Sequence, residues 1–286
     1  GFYRFKVGDF EVTAINDGMV PRKVDETCVP NLPLGEVKHA VDASFLGRET
    51  INNFFTQLVV NTGAKLVLID TGFADNGPAG VGLLGANMAA AGIDPKAIDT
   101  VIISHFHGDH ISGVRNKAGA LVYPNAEIMV PAPEWAHWMD DGAMSRAPEG
   151  FFQNTFKNVR RVFAPNAKDV KRYEWGKEIV PGITTVNAAG HTPGHTAFVI
   201  ASGTGKHMVF SDTTNHPAIF ARNPDWHLWA DQDAAQAVTT RRRLLDMAAA
   251  ERMRVSFYHA PFPATGYIAK AGNGYEYVPA AWSSAL

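Results

Sequence analysis

The residues most able to do chemistry lie in the segment TVIISHFHGDHIS, residues 100–112. A short β-branched run at residues 101–103 is typical of a buried strand, and four potential metal ligands follow it. They are His105, His107, Asp109 and His110. Alternate residues of an extended chain point to the same side, and Gly108 permits the turn that brings His110 to join them. Imidazole and carboxylate together favour a zinc-like cation over calcium, which prefers oxygen ligands alone.

Side chains of the same kind follow three later predicted strands. His191 and His195 lie on the Gly- and Pro-rich loop AAGHTPGH behind residues 183–186. Asp212 ends the run HMVFSD, and His259 follows residues 254–258. Loops at one edge of a sheet form the active site in layered α/β folds. A lone histidine is most often structural, but this repeated pattern predicts one metal centre.

Length, composition and charge are those of an ordinary globular chain. The 286 residues are 46% hydrophobic and 19% charged, enough to bury a large core. The net charge of −2 provides no basic surface, which argues against nucleic acid as a partner. No apolar run approaches the length of a membrane span. The single cysteine, Cys28, cannot form an internal disulfide.

The first residues do not determine the cellular compartment of the protein. The chain begins GFYRFKVGDFE, without an initiator methionine or an apolar signal segment. One expectation is a periplasmic or secreted protein whose leader has been removed. The other is a cytoplasmic protein with a trimmed start.

The first third of the chain is expected to be mostly strand. Residues 2–20 read as strand with turn chemistry at Asn16-Asp17-Gly18, and residues 53–70 read as a hairpin. Asp70 ends that hairpin after a buried run, so it either accepts a hydrogen bond from a metal-bound histidine or caps a turn. Residues 21–46 have no clear hydrophobic period, which predicts a long loop. This loop either folds over the site or is a packed connection at the protein surface.

Helical patterns dominate later segments. Helices are predicted at residues 80–91, 133–139, 151–162 and 231–252, and strands at 120–123 and 126–130. In the last helix, Ala235, Val238, Leu245 and Ala249 form the predicted apolar face, with Arg241, Arg242 and Arg243 pointing outward. Asn273-Gly274 predicts a closing hairpin. The aromatic segments at 133–139 and 151–162 lie between the ligand sets, so they form either core or a pocket wall.

These motifs resemble the metallo-β-lactamase superfamily. The shared features are H-x-H-x-D-H at residues 105–110, GHTPGH at 190–195, Asp212 and His259. Outside them, GFYRFKVGDFEVTAINDG, LVVNTGAKLVLIDTG, HTPGHTAFVI and GYEYVP resemble methyl parathion hydrolase and its lactonase and arylesterase relatives. The resemblance implies an αββα sandwich in one domain, residues 1–286. One departure is Ser211, where the family usually has glycine.

The resemblance also implies a two-metal site, with zinc as the expected metal. His105, His107 and His191 would hold the first ion, Asp109, His110 and His259 the second, and Asp212 would bridge them. A hydroxide shared by the metals would be the nucleophile, and Asp109 would pass a proton to the leaving group. His195 is expected to support the ligands without binding metal.

The expected pocket is aromatic. Phe106, Trp138, Phe151 and Phe152 are the predicted substrate-binding residues, each with buried core as its alternative. The remaining histidines are expected to be structural or at the surface, and His216, four residues beyond Asp212, is the one closest to the ligands in sequence. They are His39, His137, His207, His216 and His227.

The expected function is hydrolysis of small apolar lactones or esters, with aryl phosphotriesters as further substrates. The expected assembly is a homodimer. One alternative is a thiolester hydrolase of the glyoxalase II type, but no basic cluster for glutathione is visible. Another is a mononuclear iron oxidoreductase resembling persulfide dioxygenases. The best-known β-lactamases have cysteine where this chain has Asp212, which disfavours that activity.

Overall fold

The apolar runs predicted as strands form the middle of two packed β-sheets in the computed structural model, which describes residues 1–283. In β4 (Leu66–Ile69), Val67 and Ile69 face the opposite sheet and Leu68 faces the helices. Burial on both faces explains why this strand is continuously apolar. Helices cover the outer face of each sheet, so the predicted αββα sandwich is confirmed.

Each sheet has seven strands. The first contains, in spatial order, β1 (Phe2–Val7), β2 (Phe10–Lys23), β3 (Thr50–Asn61), β4, β5 (Thr100–Ile102), β6 (Glu127–Pro131) and β7 (Lys171–Tyr173). The second contains β14 (Gly274–Pro279), β13 (Thr265–Ala271), β12 (Arg254–Ser256), β11 (Gly205–Val209), β10 (Thr196–Ser202), β9 (Ile183–Asn187) and β8 (Glu178–Val180). β4 to β7 run parallel, as do β11 and β12, and the remaining neighbours are antiparallel.

The helices pack outside and around the sheets. They are α1 (Leu34–Ala43), α2 (Leu84–Ala90), α3 (Gly108–Ile111), α4 (Ala132–Trp138), α5 (Asp141–Arg146), α6 (Phe151–Phe163), α7 (Pro217–Phe220) and α8 (Ala234–Ala250). Single 3-10 turns occupy Pro95–Ala97, Ser112–Val114, Ala164–Asn166 and Ser211–Thr213. Within residues 1–283, none of the helices has the length and apolarity needed to span a bilayer.

Two predictions for the first third are wrong. Asn16-Asp17-Gly18 is a bulge inside the continuous strand β2, and the hairpin turns instead at Gly8-Asp9. Residues 21–46 contain α1, because Val37 and Val41 lie one helical turn apart and bury against α7. Three prolines, Pro21, Pro30 and Pro33, precede this short helix and obscure its period in the sequence.

Three later boundaries also differ. Residues 120–123 form one isolated bridge, at Leu121, instead of a strand. α2 starts at Leu84 because Gly80 and Gly82 have positive φ angles of 99° and 84°. The last hairpin turns at residues 272–273, one residue earlier than predicted, since Ala271 pairs with Gly274.

The prediction that Arg241 points outward from α8 is wrong. Arg241 is 1% exposed, and its guanidinium donates to the carbonyl oxygens of Thr213, Pro224 and Trp226. The buried face of α8 is Ala237, Thr240, Arg241, Leu244, Leu245 and Ala248, so only Leu245 of the predicted face is fully buried. A buried arginine is stable here because its donors are paired.

Candidate metal centre

The predicted ligands meet at one edge of the two sheets. β5 ends at Ile102 before His105, and α3 then turns the chain so that Asp109 and His110 face the same space. In the second sheet, the chain segments after β9, β11 and β12 carry His191, Asp212 and His259. All seven side chains lie in two groups, within which the ligand atoms are at most 4.8 Å apart.

The first group consists of three histidines. His107 Nδ1 lies 3.1 Å from His105 Nε2 and 3.0 Å from His191 Nε2. Nitrogen atoms bound tetrahedrally to one zinc at about 2.0–2.1 Å would lie about 3.3 Å apart. The three ring nitrogens are therefore spaced to bind one cation.

The second group combines two histidines with two carboxylates. His110 Nε2 lies 3.3 Å from Asp109 Oδ2 and 3.2 Å from Asp212 Oδ1. His259 Nε2 lies 3.0 Å from Asp212 Oδ2, which is also 3.4 Å from His191 Nε2 of the first group. The Asp212 carboxylate thus reaches both groups, as a bridging ligand would.

Hydrogen bonds orient four of the five histidine rings through the nitrogen that points away from the group. His110 Nδ1 lies 2.8 Å from Asp70 Oδ2, and His191 Nδ1 lies 2.8 Å from Asp231 Oδ1. His259 Nδ1 pairs with the Phe54 carbonyl oxygen at 2.7 Å. His105 Nδ1 contacts the Ser104 hydroxyl at 3.1 Å. Such partners fix the ring and increase its basicity as a metal ligand.

The structure shows the first of the two alternatives predicted for Asp70, the contact of its carboxylate with the ring of a predicted ligand, His110.

His195 lies outside both groups. Its Nδ1 is 2.9 Å from the Ala188 carbonyl oxygen, and its Nε2 accepts a hydrogen bond of 3.2 Å from the Asp212 backbone nitrogen. It therefore supports the Asp212 backbone. Ser211 has a positive φ of 49°, which explains the family's glycine, and its hydroxyl donates to Ser104 Oγ.

The two groups differ electrostatically. Burial holds the pKa of His105 and of His107 well below the ordinary value, so both rings are neutral, as metal ligands must be. Burial would also lower the pKa of His110, but the carboxylates of Asp109, Asp212 and Asp70 raise it well above the ordinary value. The carboxylates therefore make the second group strongly attractive to positive charge.

Atoms without hydrogen bonds support cation binding. His110 Nε2 and Asp212 Oδ1 are buried and form no hydrogen bond of acceptable geometry with any described residue. Buried polar atoms are nearly always paired, so an unpaired nitrogen and oxygen at the centre of a donor cluster call for a partner. Two divalent cations, one in each group, fit this donor set.

A largely apolar cavity of about 290 Å³ opens onto both groups. Its ligand end is formed by His107, Asp109, His191, Asp212 and His259. Its apolar walls include Val29, Val37, Val41, Ile219, Phe220 and Leu228. The segment at residues 21–46 thus covers the site, one of the two alternatives predicted for it. Such a cavity suits a small substrate with an apolar part.

The predicted pocket residues separate into three environments. Phe151 lines the cavity, and its ring centre lies 5.2 Å from that of His107 and 4.7 Å from that of Trp229. Neither Trp138 nor Phe152 lines this cavity: Phe152 borders a neighbouring cleft behind Trp229, and Trp138, beside the same cleft, is 0% exposed and belongs to the core, the alternative stated for it. The prediction for Phe106 is wrong: its ring is fully buried in the core, 4.7 Å from that of Phe163, because it points away from the ligands on either side.

Sequence reasoning missed several residues that shape the site. Asp231 and Glu134 contact ligand loops 40 and 60 residues away in sequence, so no local pattern reveals them. Trp229 lines the cavity beneath Arg22, whose guanidinium lies 4.2 Å from the ring centre. His216 also lines the cavity, and its ring nitrogens are buried without a hydrogen-bond partner among residues 1–283. Its position four residues beyond Asp212 was the one available signal.

Comparison with known proteins agrees with this geometry. Residues 56–259 match the family model described as the metallo-beta-lactamase superfamily. An N-acyl homoserine lactonase from Bacillus sp. is 26% identical over 169 residues, which are 59% of this chain and 58% of that protein's length.

Two solved structures are similar over almost their whole length. AidC, described as a dizinc quorum-quenching lactonase in complex with the product N-hexanoyl-L-homoserine, has a TM-score of 0.93 and 27% identity. The hydrolase AbOPH of the beta lactamase superfamily has a TM-score of 0.92 and 25% identity. In both comparisons, 99% of this chain and 99% of the other are covered.

The family match spans most of the chain, so this protein belongs to the metallo-beta-lactamase superfamily. The fold and the two groups of ligands place it among the metal-dependent hydrolases of that superfamily, the enzyme class that the sequence predicts.

Proposed function

We propose that this protein is a two-zinc lactonase that opens the ring of N-acyl homoserine lactones with a medium-length acyl chain. The observation that carries the proposal is the cavity, which joins both ligand groups to an apolar chamber. An acyl homoserine lactone has the same division, a polar ring at one end and an alkyl chain at the other. The similarity to a lactonase solved with an N-hexanoyl product supports this choice of substrate.

The residues present would hold one cation in each group, with Asp212 between them. When bound, two divalent cations would supply an activated water and a Lewis acid for the lactone carbonyl. The ring contacts of Asp70 and Asp231 keep His110 and His191 aimed into the groups. The site is therefore held in position before substrate enters, which avoids reorganisation during the reaction.

Asp109 is the predicted ligand best placed to move a proton. Its side chain is 19% exposed and lines the cavity, whereas those of Asp212, His191 and His259 are at most 4% exposed. Burial would raise the pKa of the Asp109 carboxyl, but the field of His110 keeps it below the ordinary value. The carboxylate would accept the proton of the attacking water and deliver it to the ring oxygen that leaves as an alcohol.

The cavity walls would orient the acyl chain. Val37 and Val41 of α1, together with Ile219 and Phe220 of α7, enclose the apolar end. Burying the alkyl chain there holds the lactone ring at the ligand end, so binding energy from a remote part of the substrate positions the reacting carbon.

The proposal is tested by a hydrolysis screen of the zinc-loaded protein, compared by kcat/KM. The panel contains N-acyl homoserine lactones, simple aliphatic lactones, aryl esters, aryl phosphotriesters and a glutathione thiolester. We expect the acyl homoserine lactones to give the highest kcat/KM and the phosphotriesters slower turnover. A higher kcat/KM for the thiolester, or the absence of lactone opening, would refute the proposal.

The predicted homodimer is a separate proposal that rests on the family resemblance. Sedimentation of the zinc-loaded protein at micromolar concentration tests it directly. We expect a species of twice the 31.0 kDa chain mass, and a single species at the chain mass would contradict it.

A further inference from the structure

Glu134 is a carboxylate buried beneath the site. It belongs to α4 and is 0% exposed. A buried carboxylate is costly unless its oxygens accept hydrogen bonds or pair with charge. The partners of Glu134 therefore indicate what keeps it there.

Three N–H groups donate to this carboxylate. The Phe106 backbone nitrogen donates to Oε2 at 3.0 Å, and the Gly194 backbone nitrogen donates to Oε1 at 2.7 Å. Trp138 Nε1, one turn further along the same helix, donates to Oε2 at 2.7 Å. Because both oxygens act as acceptors, the ionised carboxylate matches this environment, although burial raises the pKa of Glu134 above its ordinary value.

The two backbone donors belong to the two loops that form the first group. Phe106 lies between His105 and His107, and Gly194 lies on the loop that carries His191. Glu134 thus joins the loop after β5 in one sheet to the loop after β9 in the other. The approach is close enough that a Cβ on Gly194 would lie 2.3 Å from the Glu134 backbone nitrogen.

The second group is held by other contacts. His110 pairs with Asp70, and His259 pairs with the Phe54 carbonyl oxygen. The Tyr258 hydroxyl donates to the Asp109 carbonyl oxygen at 2.6 Å. The hydrogen bonds that Glu134 accepts from Phe106, Trp138 and Gly194 involve none of these residues. A change at Glu134 should therefore act mainly on the first group.

We propose that Glu134 is a positioning residue, which sets the distance between the His105–His107 loop and His191 and thereby the metal affinity of the first group. The inference rests on the proposed two-metal function. It assigns to this side chain a role in metal binding that it performs without touching the metal.

The test is a chelator competition on the apo protein, which measures the two stepwise zinc dissociation constants. In Glu134→Gln, the amide nitrogen must face N–H donors, so at least one loop loses its acceptor. We expect zinc affinity at the first group to fall about tenfold or more, the range for residues that orient metal ligands. Affinity at the second group should change less than threefold.

Matched variants show which of the two zinc dissociation constants belongs to which ligand group. Asp231→Asn removes the carboxylate that orients His191 and should weaken the first group, whereas Asp70→Asn should weaken the second. Trp138→Phe removes one donor to Glu134 but leaves both loop contacts, so both constants should stay within threefold of the wild type. In Glu134→Asp the charge is retained, and we expect partial recovery of the first constant.

A purely structural role predicts something different. It would lower the thermal stability of the apo protein and weaken both groups equally, and that result would overturn the inference. Unchanged constants in Glu134→Gln would also overturn it. The assay contains no substrate, so loss of lactonase activity in the wild type would refute the proposed function without altering this outcome. A wild type that binds only one zinc would refute both.

Discussion

The length of the acyl chain offers a quantitative test of the cavity. Each buried methylene contributes about 0.8 kcal/mol, and 1.36 kcal/mol corresponds to a tenfold change in rate. Extending the substrate from butanoyl to hexanoyl homoserine lactone adds two methylenes, or about 1.6 kcal/mol, so kcat/KM should rise about 15-fold. The gain should stop once the chain fills the cavity of about 290 Å³.

A variant locates the effect in the structure. Val37 is 2% exposed and lines the apolar end, so Val37→Phe would occupy part of the space that the longer chain needs. We expect it to remove most of the hexanoyl advantage while leaving butanoyl turnover within threefold. Phe45, at the end of the same segment, is 97% exposed and lines no part of the cavity. Phe45→Ala should therefore behave like the wild type.

Steady-state kinetics over a series of acyl chains provides the measurement, with thermal unfolding to verify that Val37→Phe is folded. An equal kcat/KM for butanoyl and hexanoyl substrates in the wild type would refute the assignment of the chamber to the acyl chain. So would an equal loss for both substrates in Val37→Phe, because obstruction of the chamber must affect the longer chain more.

Three other predictions follow from single side chains. Asp212→Ala removes the carboxylate shared by both groups, so elemental analysis should find less than half of the wild-type zinc, and lactone hydrolysis should be lost; full activity would refute the bridging role. His216→Leu removes the buried unpaired ring from the cavity and should reduce kcat/KM by about three- to tenfold, as expected for one hydrogen bond to substrate, with zinc content unchanged. An unchanged kcat/KM would show that the ring does not contact substrate. Burial raises the pKa of Asp17 from 3.8 to about 6. Between these pH values the Asp17 carboxyl is protonated in the folded protein and ionised in the unfolded chain. Protonation of Asp17 therefore stabilises the folded protein fully below pH 3.8, and this stabilisation is lost as pH rises through 6. At 1.36 kcal/mol per pKa unit, the free energy of unfolding should decrease by about 3 kcal/mol over this range. Denaturant unfolding should show this decrease in the wild type but not in Asp17→Asn, and parallel pH profiles for the two proteins would contradict it.

The strand ends and the predicted ligands could be read from the sequence because each depends on adjacent residues. A β-branched run followed by His105 and His107 combines a strand signal and a ligand signal in one segment. These local signals predicted that ligands follow strand ends at one edge of a layered fold, and the resemblance to the metallo-β-lactamase superfamily then implied the αββα sandwich and the seven ligands. Asp70 remained ambiguous, because its contact with His110 spans 40 residues.

The remaining features depend on contacts between distant segments. The guanidinium of Arg241 is buried because carbonyl oxygens from residues 213 to 226 surround it, which its place in an arginine run conceals. Phe106 alternates with two ligands and so points into the core, where the sequence suggested a pocket wall. The short helix α1 packs with α7, which lies about 180 residues further along the chain, and these tertiary contacts outweigh its weak local signal.

The central claim is that two cations in this site open a lactone ring. Stepwise addition of zinc to the apo protein, with the initial rate of N-hexanoyl homoserine lactone hydrolysis recorded at each step, tests it most directly. We predict that the rate reaches its maximum at two zinc ions per chain and stays constant beyond that point. A maximum at one zinc ion, or no ring opening at two, would contradict it.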